Sequence, residues 1–108
     1  MSNKESKEKI LDQFRQCIPY FNVLSDENRQ NIIMILAEEE EGLNVNKITE
    51  GIPLSRPAIS HHLKILKQAG FVGIKKIGTE NLYFLTLKKP IEEIEQLLHF
   101  IEGTCHFR

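Results

Sequence analysis

The chain has 108 residues, 41% of them apolar, enough for one modest core and too few for two domains of ordinary size. Its formal net charge of -1 excludes a uniformly basic nucleic-acid binder, and its two cysteines exclude a disulfide framework, so Cys17 and Cys105 are expected as reduced thiols. No apolar run approaches the roughly 20 residues that span a bilayer, and the charged opening leads into no apolar signal region; a cytoplasmic chain without membrane contact is expected.

Residues 1 to about 7 are polar and expected to fray. Ile10, Phe14, Cys17, Ile18 and Phe21 then recur at helical spacing, which predicts a first amphipathic helix that Pro19 ends or bends. Ser25 or Asp26 can cap a second helix carrying Ile32, Ile33, Ile35 and Leu36, which stops around the acidic run Glu38 to Glu41 and Gly42. Four glutamates near a helix C-terminus oppose its dipole, so the run reads as a solvated exit. Asn44 can cap a short third helix ending at Glu50, with Gly51 breaking it. A fourth helix begins at Ser55 or Arg56, accepts Pro57 in its first turn and is closed by Gly70.

Beyond Gly70 the period changes. Val72, Ile74 and Lys76 alternate with Gly73, Lys75 and Ile77, and the segment from Leu82 to Leu87 is rich in strand formers, with Gly78, Thr79 and Glu80 between. This predicts a β-hairpin over 71–87. Pro90 opens a last helix whose Ile91, Ile94, Leu98 and Ile101 share one stripe up to Gly103. The order is ααααββα: a mainly α chain with a small hairpin, read as one winged helix-turn-helix domain over residues 1–108. The first helix (Ile10, Phe14, Ile18) and the last (Ile91, Ile94, Leu98, Ile101) offer apolar stripes for a homodimer interface.

Charge is segregated along the chain. Between Pro53 and Pro90, Arg56, Lys64, Lys67, Lys75, Lys76, Lys88 and Lys89 are opposed by Glu80 alone. The fourth helix backs onto the core through Ile59, Leu63 and Leu66, with His62, Ile65 and Ala69 flanking; Pro57, Ser60, His61, Lys64 and Gln68 lie opposite. A helix fits the major groove, where Ser, His and Lys can meet base edges or phosphates. The candidate contacts to double-stranded DNA are therefore Ser55, Arg56, Pro57, Ser60, His61, Lys64 and Lys67, joined by Lys75, Lys76 and Thr79 on the hairpin. His62 is expected to support the helix from within rather than read bases.

At these residues the chain resembles the ArsR/SmtB family of winged-helix repressors. The stretch from Val23 to Arg29, followed by Ile32 to Leu36, resembles the family's Leu-x-Asp-Pro-x-Arg-x-x-Ile-Leu entry to its second helix, with Glu27 in place of the proline. The stretch from Leu54 to Val72 is similar to its recognition-helix signature, and Tyr83 with Leu85 fits its second wing strand. The resemblance implies a homodimer built from first and last helices, two recognition helices in successive major grooves of a partly palindromic operator, and repression released by a signal.

That signal is not written in the sequence. The third-helix Cys-x-Cys of metal-sensing members is replaced by Leu43, Asn44, Val45, Asn46 and Lys47, which offer no thiolate. His99 and Glu102 match half of the family's last-helix ligand set, while no ligand stands at Thr86 or Lys88, so no metal or other cofactor is expected. Cys17 and Cys105 fall on the two helices expected to pair, which admits thiol-based sensing; the plainer reading makes Cys17 a small buried hydrophobe. Catalysis finds no nucleophile with a base, metal cage or phosphate loop, and adjacent His61 and His62 point about 100° apart. The alternative function is a winged-helix module that binds protein instead of DNA, which the net charge of -1 would suit.

Overall fold

A computed structural model describes residues 3–106; Met1 and Ser2, part of the segment expected to fray, lie outside them. The elements are α1 (Asn3–Leu24), α2 (Glu27–Ala37), α3 (Val45–Glu50), α4 (Arg56–Gln68), β1 (Val72–Ile77), β2 (Glu80–Leu85) and α5 (Lys88–Thr104). The order ααααββα holds.

Two boundaries depart from expectation. Helix α1 starts at Asn3 instead of after residue 7, because Ile10 is buried against α5 and Lys9 Nζ sits 4.3 Å over the Phe100 ring. Of the two outcomes open at Pro19, ending does not occur, and the helix continues to Leu24. A proline removes one intrahelical hydrogen bond, but Cys17 and Val23, both buried, hold the helix on either side of it. The second strand begins two residues earlier than expected: Glu80 pairs with Ile77, leaving only Gly78 and Thr79 in the turn. Gly78 has φ +63° and Thr79 has no positive φ, the pattern of a type II′ turn that matches strand twist. Strand β2 therefore ends at Leu85, and Leu87 becomes the residue before α5.

Two apolar clusters hold the chain. The larger joins Val23, Ile32, Leu36, Ile48, Ile59, Leu63, Leu66, Phe71 and Val72, all from α1 to β1. The smaller joins Ile10 and Cys17 of α1 to Leu97 of α5, flanked by Ile94, Phe100 and Ile101. Tyr20 touches both, its ring 6.0 Å from that of Phe71. The proposed dimer stripes are thus divided. Ile10, Ile94 and Ile101 pack against the other helix of the same chain, Ile10 buried and Ile94 and Ile101 half-buried. Phe14, Ile18, Ile91 and Leu98 stay exposed, together with Leu11 and Phe21. An apolar stripe on a long helix can be broad enough for two partners, and periodicity alone does not say which half each takes.

The acidic exit of α2 is tied to the hairpin. Leu43 exchanges backbone hydrogen bonds with Tyr83 at 2.8 and 2.9 Å, making a third edge to the sheet. Gly42 (φ +92°) permits this approach, since a Cβ there would lie 2.7 Å from the Tyr83 carbonyl oxygen.

Asp26 caps α2 by accepting from the Arg29 backbone N–H at 3.1 Å. That hydrogen bond, with the Arg29 charge behind it, holds the Asp26 carboxyl below the usual carboxylate range. A carboxyl whose folded pKa is depressed stabilises the fold above the unfolded value of about 4 and loses that contribution as pH falls through the lower folded value. Asp26→Ala should cost about 1 kcal/mol in urea unfolding at neutral pH and soften the acid limb of the stability profile, whereas Asp26→Asn should retain most of the cap.

Candidate nucleic-acid interface

Helix α4 is built to be gripped from one side. Ser55 Oγ accepts from the Ala58 N–H at 3.3 Å, and Pro57 occupies the first turn. Ile59, Leu63 and Leu66 are fully buried, while Arg56, Ser60, His61, Lys64 and Lys67 are all exposed. Ser55 and Pro57 are exposed as well, although the Ser55 oxygen already serves as the cap. The helix thereby presents one continuous polar side whose backbone is fixed from behind.

The hairpin does not offer its two lysines equally. In the antiparallel register Val72, Ile74 and Lys76 lie opposite Leu85, Tyr83 and Asn81 on one face; Gly73, Lys75 and Ile77 lie opposite Phe84, Leu82 and Glu80 on the other. Val72 is packed in the main core, so the first face is the one turned to the helices. Lys76 shares it. Lys75 is on the reverse face, where its Nζ lies 3.6 Å from Glu41 of the acidic run. This separates a pair of residues that sequence adjacency had joined.

Between the hairpin and the helices runs a polar groove of about 220 Å³, lined by Asn44 and Asn46 at the start of α3, Arg56 at the start of α4, and Thr79, Glu80, Asn81 and Tyr83 of the hairpin. Asn44 Oδ1 caps α3 through the Lys47 N–H at 2.8 Å, and its Nδ2 donates to Glu80 Oε1 at 3.1 Å. Thr79 and Arg56, predicted as separate contacts, are brought together here. Asn46 and Asn81 were not singled out in the sequence; their hydrogen-bonding amides gain significance only from the groove.

His62 is half-buried, and its Nδ1 faces Arg29 Nη1 at 3.3 Å. Arg29 itself is only 8% exposed, a charged residue inside the fold that sequence reading had noted only within a motif. Its Nε donates to the Val23 carbonyl at 3.2 Å and its Nη2 to the Asn22 carbonyl at 2.9 Å. A buried guanidinium is the signal that would have drawn attention to it, and burial is not visible before the fold.

The sensing candidates stand apart from this surface. The Cys17 thiol is fully buried and donates to the Glu93 carbonyl at 3.4 Å. Burial first, and the neighbouring Glu93 charge second, push its pKa up, which disfavours the reactive thiolate. Cys105 is exposed beyond the end of α5. His99 and Glu102 are exposed on α5 beside Glu92 and Glu95; among the described residues no group of three or more His, Cys, Asp and Glu is arranged to hold a metal ion. No helix of the described residues is long and apolar enough to cross a membrane.

Residues 26–73, from the α2 cap to the first wing strand, match the family model described as bacterial regulatory protein, arsR family. The chain is 33% identical over 90 residues to an uncharacterised helix-turn-helix transcriptional regulator of Methanocaldococcus jannaschii, covering 81% of this chain and all of that one. It is also 33% identical over 81 residues to the transcriptional repressor SdpR of Bacillus subtilis, covering 75% and 88% respectively. Among solved structures, an ArsR-like transcriptional regulator from Rhodococcus superposes with a TM-score of 0.64 at 27% identity, over 83% of this chain and 79% of that one. The chain belongs to the ArsR family of winged-helix, DNA-binding transcriptional regulators, which are not enzymes.

Proposed function

We propose that the protein represses transcription as a homodimer that sets two copies of α4 into successive major grooves of a partly palindromic operator, in the cytoplasm where its DNA lies. The single observation that carries this reading is the placement of Ser60, His61 and Lys64 on the exposed side of a helix whose Ile59, Leu63 and Leu66 are fully buried. Those three side chains, with Arg56, meet base edges and adjoining phosphates; Lys67, Lys76 and Thr79 hold the sugar-phosphate backbone beside the groove. Ser55 and Pro57 bring the start of the helix close to the same strand.

The dimer reading draws on shape. A chain of 108 residues packed into a compact unit has a radius of gyration near 13 Å, whereas this one has 17.0 Å and extends 55 Å along its longest axis. The excess lies in long α1 and α5, and on them Phe14, Ile18, Ile91 and Leu98 remain exposed. A second copy is the partner that would bury them.

Selection of bound duplexes from a random pool tests recognition, half-sites and spacing at once. On the selected duplex, Arg56→Ala and Lys64→Ala should each weaken binding by about 1 to 3 kcal/mol if they touch bases. Lys76→Ala should weaken binding and reduce the salt slope by about one unit; Lys75→Ala should leave that slope nearly unchanged, because Lys75 faces Glu41. Equal slopes for the two lysine variants would refute the assigned wing face. The rival reading, a protein-binding winged helix, predicts little salt dependence and no enriched duplex at all.

A further inference from the structure

We propose that Arg29 is the positioning residue that sets the recognition helix against the dimer helix, acting through His62; this rests on the DNA reading above. The guanidinium lies where three elements converge. It donates to the Asn22 and Val23 carbonyls in the last turn of α1 at 2.9 and 3.2 Å, its own backbone closes the α2 cap, and its third direction points to His62 Nδ1 of α4 at 3.3 Å.

The chemistry of these partners favours positioning over simple charge pairing. Asp26 Oδ2 is 3.8 Å away, and the remaining contacts are to neutral carbonyls and an imidazole. The carbonyls at the end of a helix lack intrahelical donors and carry the negative end of its dipole, so a planar cation with donors fixed in several directions satisfies them in one orientation only. A guanidinium can only donate, so a hydrogen bond along this contact takes His62 Nδ1 as its acceptor. The contact orients the His62 ring. It immediately follows His61 and precedes Leu63, so it sits at the seam between the exposed polar side of α4 and its buried side. Rotation or sliding of α4 at this seam would displace Ser60, His61 and Lys64 together. Helix α1, whose last-turn carbonyls anchor the other end of the link, also bears the exposed Phe14, Ile18 and Phe21. The placement of base-reading groups is thus referenced to the helix proposed to join the two copies.

The test compares affinity for the selected duplex with affinity for random duplex, by fluorescence anisotropy of the full chain, alongside thermal unfolding. Phosphate contacts dominate the random-duplex term, which depends little on the setting of α4. Arg29→Lys, which keeps the charge but not the fork, should lower affinity for the selected duplex about tenfold while leaving random-duplex affinity within about twofold. His62→Leu should do the same, and His62→Asn, whose amide oxygen can accept in place of Nδ1, should restore most of the loss. A purely structural role would reduce both affinities in parallel with the folded fraction, and that result overturns the proposal. So does an unchanged ratio of the two affinities in Arg29→Lys and His62→Leu. A wild-type chain that binds no duplex overturns the DNA reading itself and this proposal with it, so the two failures are told apart by the wild-type arm.

Discussion

Replacing Ile18 and Leu98 together by glutamate is expected to yield a folded monomer whose affinity for a two-half-site operator falls by about a hundredfold or more. Both side chains are more than half exposed in the single chain, at 58% and 52%, so charges there disturb neither apolar cluster. In a dimer they would be buried and unpaired on both copies, a change that strongly disfavours association. The loss in DNA affinity follows from valency: the second half-site is engaged at high effective concentration only when the two recognition helices are physically joined. Light scattering across a concentration series and operator titration check the two parts separately. A dimer that persists in the doubly substituted protein would place the interface elsewhere.

Leu63→Ala should destabilise the domain by about 2 to 5 kcal/mol and lower its melting temperature by roughly 10 to 25 °C. Leu63 is fully buried within the cluster that joins α4 to α2 and β1, so truncation removes apolar contacts and leaves a cavity that surrounding helices fill only in part. A domain of this size holds only about 5 to 15 kcal/mol in total, so the change takes a large share of it. Lys64→Ala, one residue along and exposed, should shift stability by no more than about 0.5 kcal/mol while weakening DNA binding. Calorimetry on the pair checks the division of labour within α4. Comparable losses of stability in both variants would contradict a helix gripped from one side.

Much of this fold is written locally. Asn44 and Ser55 each stand one residue before a helix, at the positions where a short polar side chain satisfies free amides, and both serve as caps; Asp26 does so where Ser25 had been equally eligible. The apolar spacing of Ile59, Leu63 and Leu66 names the buried side of α4, because a 3.6-residue period leaves no other solution. The exposed polar side follows from the same arithmetic. The end of α1 is less local: Pro19 leaves ending and bending both open, and the helix runs through it to Leu24 with Cys17 and Val23 buried on either side.

What the chain of residues determined alone was its elements, its caps and the side of α4 that faces water, since these depend on neighbours within about four positions. Strand register, helix pairing and burial of charge depend on segments far apart in sequence. The tertiary structure therefore decided that Lys75 and Lys76 point apart, that Ile10, Ile94 and Ile101 pair within one chain, and that Arg29 ties α1 to α4. The physical reason is that periodicity tells which residues share a face, while only packing tells what that face meets.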